Sequence, residues 1–282
     1  MRPSLRRRAR IADRRRVVHV TTTDMSLDWL LGPQLQAFSA AGYDVIGMSA
    51  AGPHVERLAA MGIDHVAVPA FTRSPNPLQD IRAFGQLVHL LWRLQPDIVH
   101  THNPKPGILG RIAARVTRTP LVVNTQHGLW AQPADRWQRR LPVYLAERIA
   151  AAFGDVELVQ NPEDVDTLVQ VLHVPEHRVR LLGNGVDLER FDPAGSASSA
   201  RARLRGEWGV TDDEVLCLVV GRLVLEKGIV ELVEAAHRLR ADGSAARFVI
   251  VGPTDPDKPD ALDPAMRARA VAEGVVFTGS RD

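Results

Sequence analysis

The chain has 282 residues, of which 45% are hydrophobic and 24% charged, so it is long enough for one large core or two domains of ordinary size. A single cysteine, Cys217, excludes an internal disulfide and a cysteine metal site, and no apolar run reaches the roughly 20 residues of a membrane-spanning helix. The net charge is +2, but residues 1–16 hold eight arginines and one aspartate, so the rest of the chain is acidic.

The arginine-rich start, residues 1–15, leaves two interpretations open. As a polybasic segment it would contact an anionic membrane peripherally, with about 1 kcal/mol per residue near the surface. As a disordered tail it would have no role. It lacks the apolar core of a signal peptide, and no basic stripe continues beyond it. We therefore expect a cytoplasmic protein, free or at the inner face of the membrane, that does not bind nucleic acid.

Strand-like and helix-like segments alternate between residues 16 and 182. The predicted strands are 16–21, 43–49, 64–69, 97–102, 121–126, 156–160 and 178–182. The predicted helices are a segment that ends before Gly42, then 53–61, 78–94, about 107–117, and a helix that begins at Asn161-Pro162. Strands that alternate with helices imply a parallel sheet with right-handed crossovers.

A second alternation follows a segment rich in turn formers, residues 183–200, which we interpret as an inter-domain linker. Its predicted strands are 214–220, 247–251 and 275–279, and its predicted helices are 228–241 and about 263–272. The expected fold class is α/β, with two tandem, Rossmann-like, doubly wound parallel-sheet domains at 16–182 and 201–282. The second domain is expected to be incomplete, because it has only three strands.

The strongest candidate site follows the strand 214–220. Ligands of open α/β sheets bind at the carboxyl ends of the strands. There the sequence reads GRLVLEKG: Gly221 lets a ligand approach the backbone, and Arg222 and Lys227 can bind a diphosphate beside the start of a helix. The alternative is that both cations pair with Glu226 or other acids. The glycine pattern fits neither a Walker A loop nor a GxGxxG fingerprint.

These residues resemble a known family. The stretch GRLVLEKGI resembles the phosphate-binding segment of GT-B glycosyltransferases, in particular the retaining glycosyltransferase family 4 (group 1). Other stretches resemble that family in the same order, from about residue 16 to the end. They are VVHVTTTDMSLDWLLGPQLQAFSAAGYDV, PDIVHTHNPKPGILGRIAARVTRTPLVVNTQHGL, VRLLGNGVDLERFDP, FVIVG and VVFTGSRD. The resemblance implies a GT-B fold with a nucleotide-sugar, most often a UDP-sugar, held between two domains.

The resemblance also implies residue roles. Arg222 and Lys227, with Gly221, match the donor diphosphate site, where cations stabilise the leaving group and no metal is required. His127 matches a catalytic histidine beside the donor sugar; alternatively it is a strand-end histidine satisfied by backbone groups. The implied reaction transfers the sugar with retention to a polysaccharide or lipid-linked acceptor. No cofactor is expected besides the nucleotide-sugar, which is a co-substrate.

The acceptor side is predicted from two segments. His102, Asn103 and Lys105 follow the strand 97–102 and are expected to line the acceptor cleft, although Lys105 also fits a solvated loop. His100 shares a strand face with His102 but lies deeper, so it is expected to be packed. The first strand-to-helix loop lacks the Gly-Gly pair common in the family. Its hydroxyls, notably those of Thr22 and Ser26, are expected to replace backbone donors.

A second departure concerns the Glu-x7-Glu element that holds the donor in this family. Glu226 and Glu234 have that spacing but lie at the phosphate loop and on the next helix, so we do not interpret them as this element. The chain therefore resembles an enzyme truncated within its nucleotide domain. Two alternatives stay open: a non-catalytic remnant or interaction module of the same fold, and a nucleotide-sugar epimerase, for which we find no acid/base carboxylates.

Overall fold

A computed structural model describes residues 14–74, 76–102, 104–189, 191–192, 197–256, 258 and 260–281, with the backbone alone at 197 and 198. The tail proposed at the start of the chain lies outside these residues, except for Arg14 and Arg15. The chain divides into two compact units, one ending at Gly185 and the other beginning at Val186. The division falls within the segment interpreted as a linker. No helix of the described residues is long and apolar enough to cross a bilayer.

The first unit contains a parallel seven-stranded sheet. Its strands are β1 (Arg16–Thr23), β2 (Asp44–Ala50), β3 (Asp64–Ala67), β4 (Ile98–His102), β5 (Leu121–Gln126), β6 (Val156–Val159) and β7 (Val179–Leu181). Their order is β3-β2-β1-β4-β5-β6-β7. From β1 the strands are added first toward one edge, as β2 and β3, and then toward the other edge, from β4 onward. Ligands of doubly wound sheets bind at this switch point between β1 and β4. All seven strands were predicted, and the fold class is confirmed.

Helices cover both faces of this sheet. They are α1 (Gly32–Ala40), α2 (Val55–Ala60), α3 (Pro77–Leu94), α4 (Pro104–Val116), α5 (Trp137–Ala151) and α6 (Pro162–Asp166), with π-helical turns at Ser26–Leu30 and Thr167–Val171. Among the described residues of this unit, two helix starts have side-chain caps: Asn76 accepts from the Gln79 amide, and Asn161 accepts from the Asp164 amide at 2.7 Å. The predicted helix start at Asn161 is therefore confirmed.

The helix α5 has no counterpart in the sequence prediction. Its outward face is largely apolar, with Trp137, Leu141 and Leu145 more than half exposed, and Pro142 lies inside it. Its inward face carries Glu147, which is 3% exposed. This reverses the usual polar-outward pattern, and so the periodicity that identifies a surface helix is absent.

Successive side chains of β1 point to opposite faces of the sheet and pack in two different cores. Val18 and Val20 point into the larger core, which also contains Leu87 and Leu91 of α3. Val17 points to the opposite face, into a core formed with α1 and α2. His19 shares that second face and is fully buried, with its ring 5.3 Å from that of Phe38. The same face leads to the histidines of the strand ends.

The second unit has a smaller parallel sheet of three strands. They are β8 (Val215–Val220), β9 (Ala246–Val251) and β10 (Val276–Gly279), in the order β10-β9-β8, with the helices α7 (Ala197–Glu207), α8 (Ile229–Ala241) and α9 (Pro264–Ala272). Leu223, Ile229, Phe248 and Ile250 lie in its core. All three strands were predicted.

The helix α7 corrects the linker prediction, because it begins within 183–200. Its serines are typical of turns, which is why the start of this helix was interpreted as linker. Most of its other residues, chiefly Ala and Arg, favour a helix. Tertiary contacts then fix its end: Arg205 is 8% exposed and donates to the backbone carbonyls of Thr211 and Glu214. The linker is therefore shorter than predicted.

Candidate functional site

Four histidines lie together on β1, on β4 and in the loop that follows β5. His19 and His100 are directly opposite each other on neighbouring strands. His19 Nδ1 lies 3.1 Å from His102 Nε2, and His102 Nδ1 lies 3.1 Å from His127 Nε2. The Nε2 atom of His100 lies 2.7 Å from the Thr125 hydroxyl. Hydrogen bonds therefore run from the core to the strand-end loop.

Burial keeps these imidazoles neutral at pH 7. It lowers the pKa of His19 to about 3 and those of His100 and His102 well below the usual value. Burial also lowers the pKa of His127, although its contact with the side chain of Gln160 acts in the opposite direction. Each ring therefore offers one N–H donor and one acceptor nitrogen.

The same cluster has the composition of a metal site. One nitrogen from each of His19, His100 and His102 lies within 4.8 Å of the others. Zinc binds imidazole nitrogen at 2.0–2.1 Å, so nitrogens around it lie about 3.3 Å apart. Two of the three imidazoles already use nitrogens on each other, and His100 uses Nε2 on Thr125. The arrangement is that of a hydrogen-bonded cluster.

The predicted histidines differ in accessibility. His127 is partly exposed at the end of β5, as its predicted role requires. His102 is fully buried, which corrects the expectation that it lines an acceptor cleft, because both of its nitrogens contact other imidazoles. His100 is packed, as predicted, at 3% exposure. Asn103 lies outside the described residues.

Lys105 has a structural role in place of the predicted acceptor contact. Its ammonium group donates to Asp80 at 2.7 Å, to the Thr72 hydroxyl at 3.1 Å and to the Ser74 carbonyl at 2.5 Å. An ammonium has three N–H donors, so all are used. Lys105 therefore ties α4 to the start of α3 and to the preceding loop.

The first strand-to-helix loop is held by a carboxylate. Asp24, which is 5% exposed, accepts from the backbone amides of Met25 and His54. The predicted hydroxyl residues Thr22 and Ser26 are both partly exposed, and Ser26 Oγ lies 3.2 Å from the Thr23 hydroxyl. Thr22 and Ser26 stay acceptor-side predictions.

A buried ionic network lies behind the histidines, and sequence reasoning missed it. The Arg111 guanidinium is fully buried and contacts Glu157 at 2.6 Å and Glu147 at 2.5 Å. Asn124 donates to Glu157 and Gln126 donates to Glu147. Burial raises the pKa of Glu157 although Arg111 opposes the shift. The signal in the sequence was a glutamate in the middle of a short strand, VELV.

In the second unit, the predicted diphosphate residues lie at the carboxyl end of β8. Arg222 Nη1 is 2.6 Å from Asp255 and Nη2 is 3.4 Å from Glu226, so this cation pairs with two acids, and its role at a diphosphate stays a prediction. Lys227 is exposed and makes no ion pair among the residues that the structure describes. Its side chain passes Gly221: a Cβ added there would lie 3.9 Å from Lys227 Cγ.

Close backbone approach occurs beside Gly221, at Gly252. A Cβ at Gly252 would lie 1.9 Å from the Gly221 carbonyl oxygen, so only glycine fits. The Gly221 amide donates to the Val251 carbonyl, and the Gly252 amide donates to the Gly279 carbonyl. These bonds join the ends of the three strands. The start of α8, which follows β8 along the chain, has no side-chain cap among the described residues.

Glu226 and Glu234 do not form a common site in the structure. Glu226 lies in a 3₁₀ turn, Leu225–Lys227, and pairs with Arg222 and Lys258. Glu234 lies on α8 and pairs with Arg238. Their spacing therefore has no functional meaning here.

Two Rossmann-like parallel sheets agree with the GT-B fold that the resemblance implies, and the candidate residues lie near the carboxyl ends of strands, where ligands of such sheets bind. The chain belongs to Glycosyltransferase Family 4, whose model matches residues 34–190. The model of the glycosyl transferases group 1 matches residues 200–282. The family recognised in the sequence is confirmed.

A named relative agrees with this assignment, and solved structures agree with the fold. A UDP-Gal:alpha-D-GlcNAc-diphosphoundecaprenol alpha-1,3-galactosyltransferase from Escherichia coli is 33% identical over 187 residues, which cover 66% of this chain and 48% of the relative. The crystal structure of a glycosyltransferase from Rickettsia africae has the same fold: the TM-score is 0.72 at 18% identity, over 96% of this chain and 69% of the other. A putative UDP-N-acetylglucosamine 2-epimerase from Listeria monocytogenes has a TM-score of 0.65 at 14% identity, over 95% and 70%. The chain spans about half the length of the first curated relatives it matches.

Proposed function

We propose that the chain carries the donor diphosphate site of a retaining glycosyltransferase, which transfers a sugar from a nucleoside diphosphate to a polysaccharide or lipid-linked acceptor. The observation that carries the proposal is the ammonium of Lys227. It is exposed, unpaired among the described residues, and lies between the end of β8 and the start of α8. The amino end of a helix attracts anions, so a phosphate at this place would contact both the Lys227 ammonium and the start of α8.

The proposed chemistry needs fixed positive charge. When the glycosidic bond to the phosphate breaks, the leaving nucleoside diphosphate gains negative charge, and preorganised cations stabilise it more than they stabilise the bound donor. Lys227 supplies one such charge. Arg222 supplies the other after its contacts with Asp255 and Glu226 rearrange or are shared with the phosphate.

His127 is proposed to contact the donor sugar, because it is the histidine of the cluster that is partly exposed. With retention and no enzyme nucleophile, the acceptor hydroxyl attacks on the face that the phosphate leaves, and its proton passes to the departing phosphate oxygen. The relative from Escherichia coli, by its name, uses UDP-galactose and a diphosphoundecaprenol acceptor. A UDP-sugar and a lipid-linked acceptor are therefore the first choices for this chain.

The alternatives remain distinguishable. The epimerase interpretation rests on structural similarity at 14% identity, which concerns the fold alone, whereas the relatives matched at higher identity are named glycosyltransferases. A non-catalytic module of the same fold would fold normally without binding nucleotides.

Calorimetric titration with UDP and GDP tests the proposal. We expect binding by the wild-type chain, and Lys227→Ala should weaken it about 10- to 100-fold, the loss of one charged hydrogen bond of about 1.5–3 kcal/mol. Arg222→Ala should weaken it less, because Arg222 first has to leave Asp255. The matched control is Arg238→Ala, which removes an exposed arginine of α8 that is paired with Glu234. Equal weakening by the control, or no binding by the folded chain, would contradict the proposal.

We also propose that the basic tail contacts the cytoplasmic face of an anionic membrane. Arg16 is not part of this tail: it is 4% exposed in β1 and pairs with Asp44 at 2.6 Å. The deletion that tests the tail therefore removes residues 1–13. The full chain should sediment with phosphatidylglycerol vesicles at low salt, and the deleted chain should remain in solution. Equal sedimentation of both proteins would refute the role of the tail.

A further inference from the structure

Three imidazoles form a row that begins in the core and ends at the strand-end loop. It is defined by His19, His102 and His127, which are joined by two contacts of 3.1 Å. Ring centroids are 5.4 Å apart in both pairs, and the rings are nearly stacked. The function proposed above uses only His127, so the two inner rings have no assigned role.

The row contains one N–H more than it can use internally. Three neutral imidazoles carry three N–H groups, and two of these form the two hydrogen bonds. The third lies at one end, on Nδ1 of His127 or on Nε2 of His19. Both atoms are buried, and neither has a partner at hydrogen-bonding distance among the described residues, although the Gln160 side chain approaches the His127 ring. The tautomers of the three rings are therefore coupled, since reversing one hydrogen bond requires reversing the other.

The inner end is the less favourable place for this N–H. His19 is fully buried, and the rings near it include those of His100, 4.9 Å away, and Phe38, 5.3 Å away; neither bonds its Nε2 atom. A buried donor left without an acceptor costs about 1–3 kcal/mol and is rare in folded proteins. The outer Nδ1 atom, on His127, is buried as well, but the side chain of Gln160 approaches this ring and can accept an N–H from it. The ring as a whole is partly exposed and lies where ligands of such sheets bind.

We propose that His19 and His102 are positioning residues that hold His127 as the neutral Nδ1–H tautomer. In this form the Nε2 atom of His127 is committed to His102, and its Nδ1–H is the donor at the outer end of the row. Because Nδ1 is buried beside Gln160, a bound ligand would take this N–H by placing an acceptor oxygen where the Gln160 side chain now lies. The identity of this ligand rests on the function proposed above, under which the oxygen would belong to the donor sugar. The ring would then enter the complex already oriented, with no tautomer change on binding.

Nuclear magnetic resonance of protein labelled with ¹⁵N-histidine tests this directly. Two-bond ¹H–¹⁵N correlations at pH 7 show which nitrogen carries the proton, and single substitutions assign the ten histidines. We expect His19, His102 and His127 all to be Nδ1–H. In His102→Phe, the His127 proton should move to Nε2 or be shared between both nitrogens.

The matched control is His100→Phe. His100 is as buried as His102, and their ring centroids are 4.1 Å apart, but its Nε2 atom contacts Thr125 outside the row. This variant should leave the tautomer of His127 unchanged. The wild-type spectrum alone shows which nitrogens carry the protons, and so which way the two hydrogen bonds point, even where a variant fails to fold.

Three results would overturn the proposal. They are an Nε2–H tautomer of His127 in the wild type, an unchanged tautomer in His102→Phe, and Zn²⁺-induced shifts of the His19, His100 and His102 nitrogens, which would identify the cluster as a metal site. Because the spectra are recorded without nucleotide, a failed UDP titration would leave this result valid.

Discussion

Replacement of Arg111 by methionine is expected to lower the free energy of unfolding of the first unit by about 3–5 kcal/mol. The guanidinium is fully buried and contacts both Glu147 and Glu157, which are 3% and 1% exposed. Methionine fills a similar volume but leaves two carboxylates without a counter-charge in a medium of low dielectric constant. Such a loss is a large part of the stability of an ordinary domain.

The matched control is Arg115→Met, one turn further along α4. Arg115 pairs with Asp155 at 2.7 Å, but both side chains are 37% exposed, so the expected cost is within about 1 kcal/mol. Urea unfolding followed by tryptophan fluorescence measures both variants. A Trp208→Phe background confines the signal to the first unit, because the other tryptophans lie there. Equal midpoints for the two variants would show that the buried network is not needed for stability.

Acidification below pH 6.5 is expected to destabilise the first unit through its buried histidines. In the unfolded chain His19 binds a proton near pH 6.5, whereas burial lowers its folded pKa to about 3. The unfolded state therefore binds more protons throughout this window. The contribution of neutral His19 to the free energy of unfolding is fully present above pH 6.5 and is lost as the pH falls toward about 3. The loss is about 1.4 kcal/mol per pH unit for each such histidine. His100 and His102 add to it in the same direction.

Comparison of variants isolates this effect. Glu157 acts in the opposite direction, because its pKa is raised by burial, so the wild-type slope alone is not decisive. His19→Gln should flatten the dependence of the unfolding free energy on pH by about 1.4 kcal/mol per unit between pH 6.5 and 5. His89→Gln, at an exposed position of α3, should leave it unchanged. The same slope in His19→Gln and the wild type would mean that His19 is not a neutral buried group.

Local signals determined most of the fold. The helix α3, predicted over 78–94, is found at Pro77–Leu94, because its amphipathic pattern, its Asn76 cap and the left-handed Gln95 all agree. The helix α5 was missed because tertiary packing buries Glu147 and leaves Leu141 exposed, which no local pattern records. Here tertiary context overrides periodicity.

The candidate site was less predictable, because its contacts are distant in sequence. The partner of His102 on β1 is 83 residues away, and the carboxylate that holds Lys105 is 25 residues away. Only the register between strands reveals such pairs. Arg222 and His127 do lie at the ends of β8 and β5, because chain order alone predicts that position; their roles stay predictions.

The outer strand of the smaller sheet has a consequence for the behaviour of the protein in solution. Among the residues that the structure describes, β8 is the last strand on its side of the sheet, and Val215, Leu218 and Val220 are 64%, 49% and 74% exposed. Unpaired amide and carbonyl groups beside apolar side chains favour strand addition by any chain that lies alongside. We therefore expect the protein to form oligomers through the β8 edge at high protein concentration. A few charged substitutions on β8 should shift the equilibrium toward the monomer.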